Sequence, residues 1–216
     1  MENVTRRPIS ARDTRWAGTI ARTLANAGIQ PNQISIASVL CAAISGSLFW
    51  LSSEAGSATV PWLFLSGAAF VQLRLLCNMF DGMVAVEGGL RTKSGEIYNE
   101  LPDRFADTFI LVGVGYAAFS PFWAEQAGWA AAVFALITAY TRALGASAGA
   151  AQQFCGPMAK QHRMAVITVA AVGSAILCWC GIRTSVLPHA LLIISAGCLI
   201  TIFRRTSRII RELESK

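Results

Sequence analysis

Two short stripes of residues hold the chemistry this chain can do. In the segment VQLRLLCNMFDGMVAVEGG, Asn78, Asp81, Gly82 and Ala85 stand at i, i+3, i+4 and i+7, one face of a helix. In SGEIYNELPDRFADTF, Gly95, Asn99 and Asp103 follow one another at i+4 steps on a second helix. The connection between them is short, so the helices are expected to be antiparallel neighbours with the stripes facing each other. Carboxylate and amide oxygens gathered in this way suit a hard divalent cation, Mg²⁺ or Mn²⁺. Gly82, Ala85 and Gly95 carry little or no side chain and leave room for a bulky ligand against the backbone. A divalent ion with space for a phosphate-bearing ligand points to phosphoryl chemistry on a lipid.

The lipid enters because of the elements that must position these stripes. Of the 216 residues 54% are hydrophobic and 14% charged, with a mean hydropathy of +0.51; a soluble domain is about a quarter charged. Apolar runs near 33–52, 60–86, 95–119, 128–150, 163–180 and 185–205 each approach the length of a membrane-spanning helix. The expected fold is an all-α integral membrane protein with six transmembrane helices. An amphipathic juxtamembrane helix over 11–27 precedes them, with Trp16, Ile20 and Leu24 on its apolar side. The expected division is a cytoplasmic arm (1–29), the six-helix domain (30–205) and a basic tail (206–216).

The net charge of +6 lies almost wholly between or outside the apolar runs, which sets nucleic-acid binding aside. Arg6, Arg7, Arg12, Arg15 and Arg22, then Arg91 and Lys93, then Lys160 and Arg163, then Arg204, Arg205, Arg208 and Arg211 alternate with connections bearing Glu54, Glu125 and Arg183. The positive-inside rule places both termini, and the end carrying the two stripes, in the cytoplasm. The N-terminus shows no cleavable signal sequence. Cys41, Cys77, Cys155, Cys178, Cys180 and Cys198 lack metal-ligand spacing and are expected to be structural.

Ionisable groups within a span mark function or a buried partner. Arg74 is expected to neutralise a buried carboxylate or bind a phosphate; Arg142 to meet substrate or pair structurally. Asp107, one i+4 step beyond Asp103, is expected to be a base or a partner for Arg74 or Arg142. Glu87 and Glu100 are near enough to supplement the oxygen cluster. His162 and His189 have no partner pattern.

The intervals Asn78-x2-Asp81-Gly82-x2-Ala85-Val86-x8-Gly95-x3-Asn99-x3-Asp103 resemble the CDP-alcohol phosphatidyltransferase family, whose pattern is D-x2-D-G-x2-A-R-x8-G-x3-D-x3-D. Asn78, Asn99 and Val86 depart from it; in the two asparagines the chain resembles a bacterial branch of the family. Pro31-Asn32-Gln33-Ile34-Ser35 resembles the family's entry to its first span, and Gly156-Pro157-Met158-Ala159-Lys160-x2-Arg163 its basic segment before the fifth. The resemblance implies an enzyme of phospholipid biosynthesis in the bacterial cytoplasmic membrane. It would move a phosphatidyl group from CDP-diacylglycerol to an alcohol, or a phospho-headgroup from another CDP-alcohol, releasing CMP. It implies metal at Asn78, Asp81, Asn99 and Asp103, with Asp103 as general base. Gly82, Ala85 and Gly95 would line the nucleotide, and Lys160 and Arg163 would bind phosphate or the acceptor. It also implies a homodimer, for which the small-residue run Ala146–Ala150 permits close packing. With amides at 78 and 99 the site has two fewer anionic ligands than the pattern, so one ion or two remains open. A non-catalytic lipid- or nucleotide-binding member is the alternative; a small transporter using Arg74, Arg142 and Asp107 leaves the interval match unexplained.

Overall fold

The structure, a computed structural model, describes residues 14–89 and 95–216, with the side chains of Glu87, Glu96 and Asn99 outside that description. Arg6, Arg7, Arg12, Arg91 and Lys93, which carry part of the charge pattern, also lie outside it. The described residues form α1 (Arg15–Asn26), α2 (Pro31–Leu51), α3 (Val60–Glu87), α4 (Gly95–Gly115), α5 (Ala124–Ser147), α6 (Lys160–Trp179) and α7 (Leu187–Glu214), with no strand among them.

Local chemistry sets the boundaries. Pro31 opens α2, where Gln30 and Gln33 form a reciprocal cap and the Gln30 amide donates to Gln33 Oε1 at 2.9 Å. Gly88 caps α3, and Gly89 leaves with φ +64. α4 stops at Gly115 rather than running to 119, because the chain turns through Phe119 at φ +58. α6 opens three residues before its expected start, so Lys160 becomes its first residue. α7 continues past 205 to Glu214 and absorbs most of the expected tail.

Five helices, α2, α3, α5, α6 and α7, are long and apolar enough to cross a membrane. α4 has 21 residues, about 30 Å of helix, and its charges are placed asymmetrically. Asp103 and Asp107 are buried, while Ile97, Leu101, Phe105 and Phe109 face outward at i+4 steps. The helix therefore turns its carboxylates into the bundle and its apolar stripe out. Leu40, Val133, Val169, Ile193 and Phe203 on other helices are likewise exposed.

α2 packs between α3 and α4, α5 against α4 and α7, and α6 against α3 and α7. The centre of the core holds Phe49, Phe64, Ile110, Leu111, Met164 and Ile167. α2 and α4 cross with backbones touching, since a Cβ on Gly113 would fall on the Gly46 backbone. α3 and α4 make little direct contact despite their short connection. Long polar side chains fill the space between them instead of interlocked apolar ones.

The two ends of the bundle differ. Exposed Trp50, Trp62, Trp129 and Trp179 mark the end of the α2–α3, α4–α5 and α6–α7 connections. There Trp50 lies tilted against Tyr116 (6.3 Å) and Trp62 meets Trp179 edge-on (5.5 Å), as in an interfacial aromatic belt. At the other end α1 lies on α3. Ala17 and Ala21 bury against Met79, Met83 and Val84, and Trp16 meets Phe80 edge-on at 6.2 Å. Trp16 and Ile20 stay exposed, so the small-residue face of α1 meets protein and the large apolar face is left for lipid.

Candidate active site

The end covered by α1 gathers charged side chains from three helices. α3 supplies Arg74, Asn78 and Asp81, α4 supplies Asp103 and Asp107, and α6 supplies Lys160 and Arg163. Arg74 is fully buried, and its Nη2 donates to Asp103 Oδ1 at 3.1 Å and to Asp107 Oδ1 at 2.9 Å. Arg163 closes on the other Asp107 oxygen at 2.6 Å and donates to the Met158 carbonyl at 3.0 Å. Asp107 thus sits between two arginines, and Arg74 links it to Asp103.

Asp103 is the more crowded carboxylate. Its Oδ1 accepts from Arg74 and, at 2.8 Å, from Asn78 Nδ2. Its Oδ2 accepts from Lys160 Nζ at 2.5 Å, with Arg104 Nη2 at 3.7 Å. Lys160 Nζ also donates to Asn78 Oδ1, so Asn78, Asp103 and Lys160 close a three-membered ring of hydrogen bonds. A lysine at the first position of a helix is opposed by the helix dipole; the Asp103 carboxylate offsets that.

Asp81 is different. It is 5% exposed, and its Oδ2 accepts from the Ser35 hydroxyl at 2.8 Å. Among the described residues no ion pair within 4 Å reaches it, in contrast to Asp103 and Asp107. A buried carboxylate with no cation in direct contact is costly, so of these groups Asp81 is the one that a divalent cation would fit. It does not fit at Asp103, where protein donors hold both oxygens, or at the Asn78 carbonyl, which Lys160 takes. No three acidic, His or Cys side chains converge on one point among the described residues.

Several expectations change here. Arg163 is not at the rim but buried behind Asp107, beyond reach of a surface phosphate. Arg74 takes its neutralising alternative. Arg142 pairs with Glu100 at 2.5 Å and Gln152 at 2.8 Å and lies 5.4 Å from the Phe154 ring centre, so it is no partner of Asp107. Glu100 is thereby committed to Arg142 instead of joining the oxygen cluster. Gly82 and Ala85, near the end of α3, and Gly95, at the start of α4, are half-buried. The side chains of Asn99 and Glu87 lie outside the described residues. Sequence reasoning assigned no role to Ser35, although it closes the entry segment of α2. Arg205, counted above only in the charge pattern, is buried: its Nη1 donates to the Thr138 carbonyl at 2.6 Å and its Nε to that of Cys155 at 3.0 Å.

Among the described residues of this region, three carboxylates (Glu100, Asp103, Asp107) pair with five cations (Arg74, Arg104, Arg142, Lys160, Arg163), and Asp81 lies outside those pairs. The surplus of positive charge favours an anion. A hollow of about 590 Å³ lies at the other, aromatic end, among Trp50, Glu54, Tyr116, Phe119, Glu125 and Arg183, and lacks such a cluster.

No family model matches the sequence. The fold is that of a CDP-alcohol phosphatidyltransferase, the phosphatidylinositol phosphate synthase PgsA1 of Mycobacterium tuberculosis. With its CDP-DAG-bound form the TM-score is 0.70 over 91% of this chain and 94% of that one, at 20% identity. With its manganese and citrate complex the TM-score is 0.67 over 89% and 88%, again at 20% identity. Within that fold the chain belongs to one family with an uncharacterized protein of Aquifex aeolicus. The two are 31% identical over 156 residues, which take in 68% of this chain and 71% of the other.

Proposed function

We propose that the chain transfers a phosphatidyl group from CDP-diacylglycerol, or a phospho-headgroup from another CDP-alcohol, to an alcohol and releases CMP. The observation that carries this is the convergence of Asp81, Asp103 and Lys160, with Gly82 and Ala85 following Asp81 on α3. It occurs on the fold of a synthase solved with CDP-DAG.

Helices α2 to α7 cross the bilayer, α4 included, because its charges face inward and its outer stripe is apolar. Both termini, and the site, lie at the cytoplasmic leaflet, and two copies associate as the resemblance implies. The excess of cations receives the donor's pyrophosphate. A divalent ion at Asp81, Mg²⁺ or Mn²⁺, would offset charge on that group when bound. Lys160, on a flexible four-carbon stem, reaches from Asp103 toward the phosphates. Asp103 Oδ2 then accepts the proton of the acceptor hydroxyl as its oxygen attacks the donor phosphorus in line. The new P–O bond forms as the bond to CMP breaks. Arg74 and Asp107 hold Asp103 in place throughout.

The test is CMP release by purified protein in nanodiscs, given CDP-diacylglycerol, Mg²⁺ or Mn²⁺ and a pool of alcohols. Release is expected, and Asp103→Asn is expected to lower it at least about 100-fold, the scale of general-base catalysis. Nucleotide binding without release, with soluble CDP-alcohols plus diacylglycerol also inactive, would instead mark a binding member of the fold.

A further inference from the structure

We infer that the Lys160 ammonium takes the place of one divalent ion, so that the site admits at most a single metal ion, at Asp81. The transferase pattern has carboxylates where this chain has Asn78 and Asn99, and the consequence at position 78 is visible. An aspartate there would set a second carboxylate against Asp103, and their repulsion would favour a multivalent cation or a shared proton between them. The amide instead does two things at once. Its Nδ2 donates to Asp103 Oδ1 at 2.8 Å, and its Oδ1 accepts from Lys160. Lys160 in turn closes on Asp103 Oδ2 at 2.5 Å.

Asn78 and Lys160 are therefore a matched pair. The amide provides a donor that a carboxylate lacks, and the ammonium provides the positive charge that the oxygens need. Arg74 on Asp103 Oδ1 completes the neutralisation. A metal ion entering here would have to displace two charge-assisted hydrogen bonds and sit beside two fixed cations. Asp81 is the contrasting case: its side-chain hydrogen bond comes from the neutral Ser35 hydroxyl, and among the described residues no ion pair within 4 Å reaches it. Lysine also brings what a metal does not, a tether. It is the first residue of α6, so the cation is tethered within reach of Asp103 and its presence does not depend on ion concentration.

This rests on the transferase reading for the purpose of the site, but its test needs no turnover. Bound Mn²⁺ is counted by electron paramagnetic resonance on purified protein in nanodiscs without substrate. Wild type is expected to saturate at no more than one ion per chain. The double substitution Asn78→Asp with Lys160→Gln restores the carboxylate and removes the tethered cation, and is expected to bind one ion more than wild type. Should that variant not fold, two single variants still decide. Asp81→Asn is expected to weaken Mn²⁺ binding at least about tenfold, whereas Asp103→Asn leaves it within about twofold. Two ions in the wild type, an unchanged count in a folded double variant, or a tenfold loss in Asp103→Asn would each overturn the inference. CMP release with two ions bound would remove the role of Lys160 and keep the reaction. The expected ion counts without CMP release would do the reverse.

Discussion

Asp107 shows how much of this site is support for other groups. It is buried, and both its oxygens are taken by cations, by Arg74 at 2.9 Å and Arg163 at 2.6 Å. Those arginines have no surplus of partners: Arg74 Nε and Nη1 and Arg163 Nε are buried with no hydrogen-bond acceptor among the described residues. Removing the shared counter-charge leaves two buried guanidinium groups undercompensated. Asp107→Asn is therefore expected to cost about 3–5 kcal/mol, the range for breaking a buried ion pair by removing one partner. Thermal unfolding in detergent reads that loss. Adding Arg163→Met should recover part of it, since the second change takes away a charge that the first has stranded. Equal unfolding temperatures for wild type and Asp107→Asn would mean that water, not Asp107, solvates these arginines.

Helices in this bundle are held at two kinds of distance, and glycine distinguishes them. At the α2–α4 crossing Gly113 lies against the Gly46 backbone, which has no flexible group to move aside. In α6 the nearest atom to a Cβ on Gly173 would be Val186 Cγ2 at 3.5 Å, an ordinary contact. The same change should have opposite signs. Gly113→Ala is expected to destabilise by at least about 1–3 kcal/mol through overpacking, and Gly173→Ala to gain up to about 1 kcal/mol of helix propensity. Matched thermal unfolding of the two variants checks this, and loss of stability in both would show that α6 is packed as tightly as α4. Most helices themselves were legible from the sequence, because apolar run length and Pro or Gly punctuation act locally. α2 and α3 begin and end within about two residues of expectation. What was not legible depends on neighbours. The i+4 steps at Asn99, Asp103 and Asp107 gave a stripe but not its partners. Arg163 therefore read as a rim cation, and Glu100 as a spare ligand, until α6 and α5 were in place beside α4. The ring of Asn78, Asp103 and Lys160 spans 82 positions of sequence, and no spacing rule reaches that far.

The whole molecule presents two unlike ends, and their assignment to the two sides of the membrane carries the proposed reaction, since nucleotide donors are cytoplasmic. The end with the charge cluster also has α1, the start of α6 and the long extension of α7 with Arg204, Arg208 and Arg211. The aromatic end has Glu54, Glu125 and a single basic residue, Arg183. Cations are retained on the cytoplasmic side as helices insert, so the aromatic end is expected outside. A native label tests this: Cys180 is exposed just past the end of α6, at the aromatic end. In a chain whose other cysteines are replaced by serine or alanine, a membrane-impermeant maleimide is expected to label Cys180 in intact cells. With Cys180 also replaced, Ser215→Cys at the end of α7 should react only after lysis. The opposite pattern would put the Asp81–Asp103 cluster outside, away from the cytidine nucleotides. The fold would then stand, and the transfer reaction at this site would not.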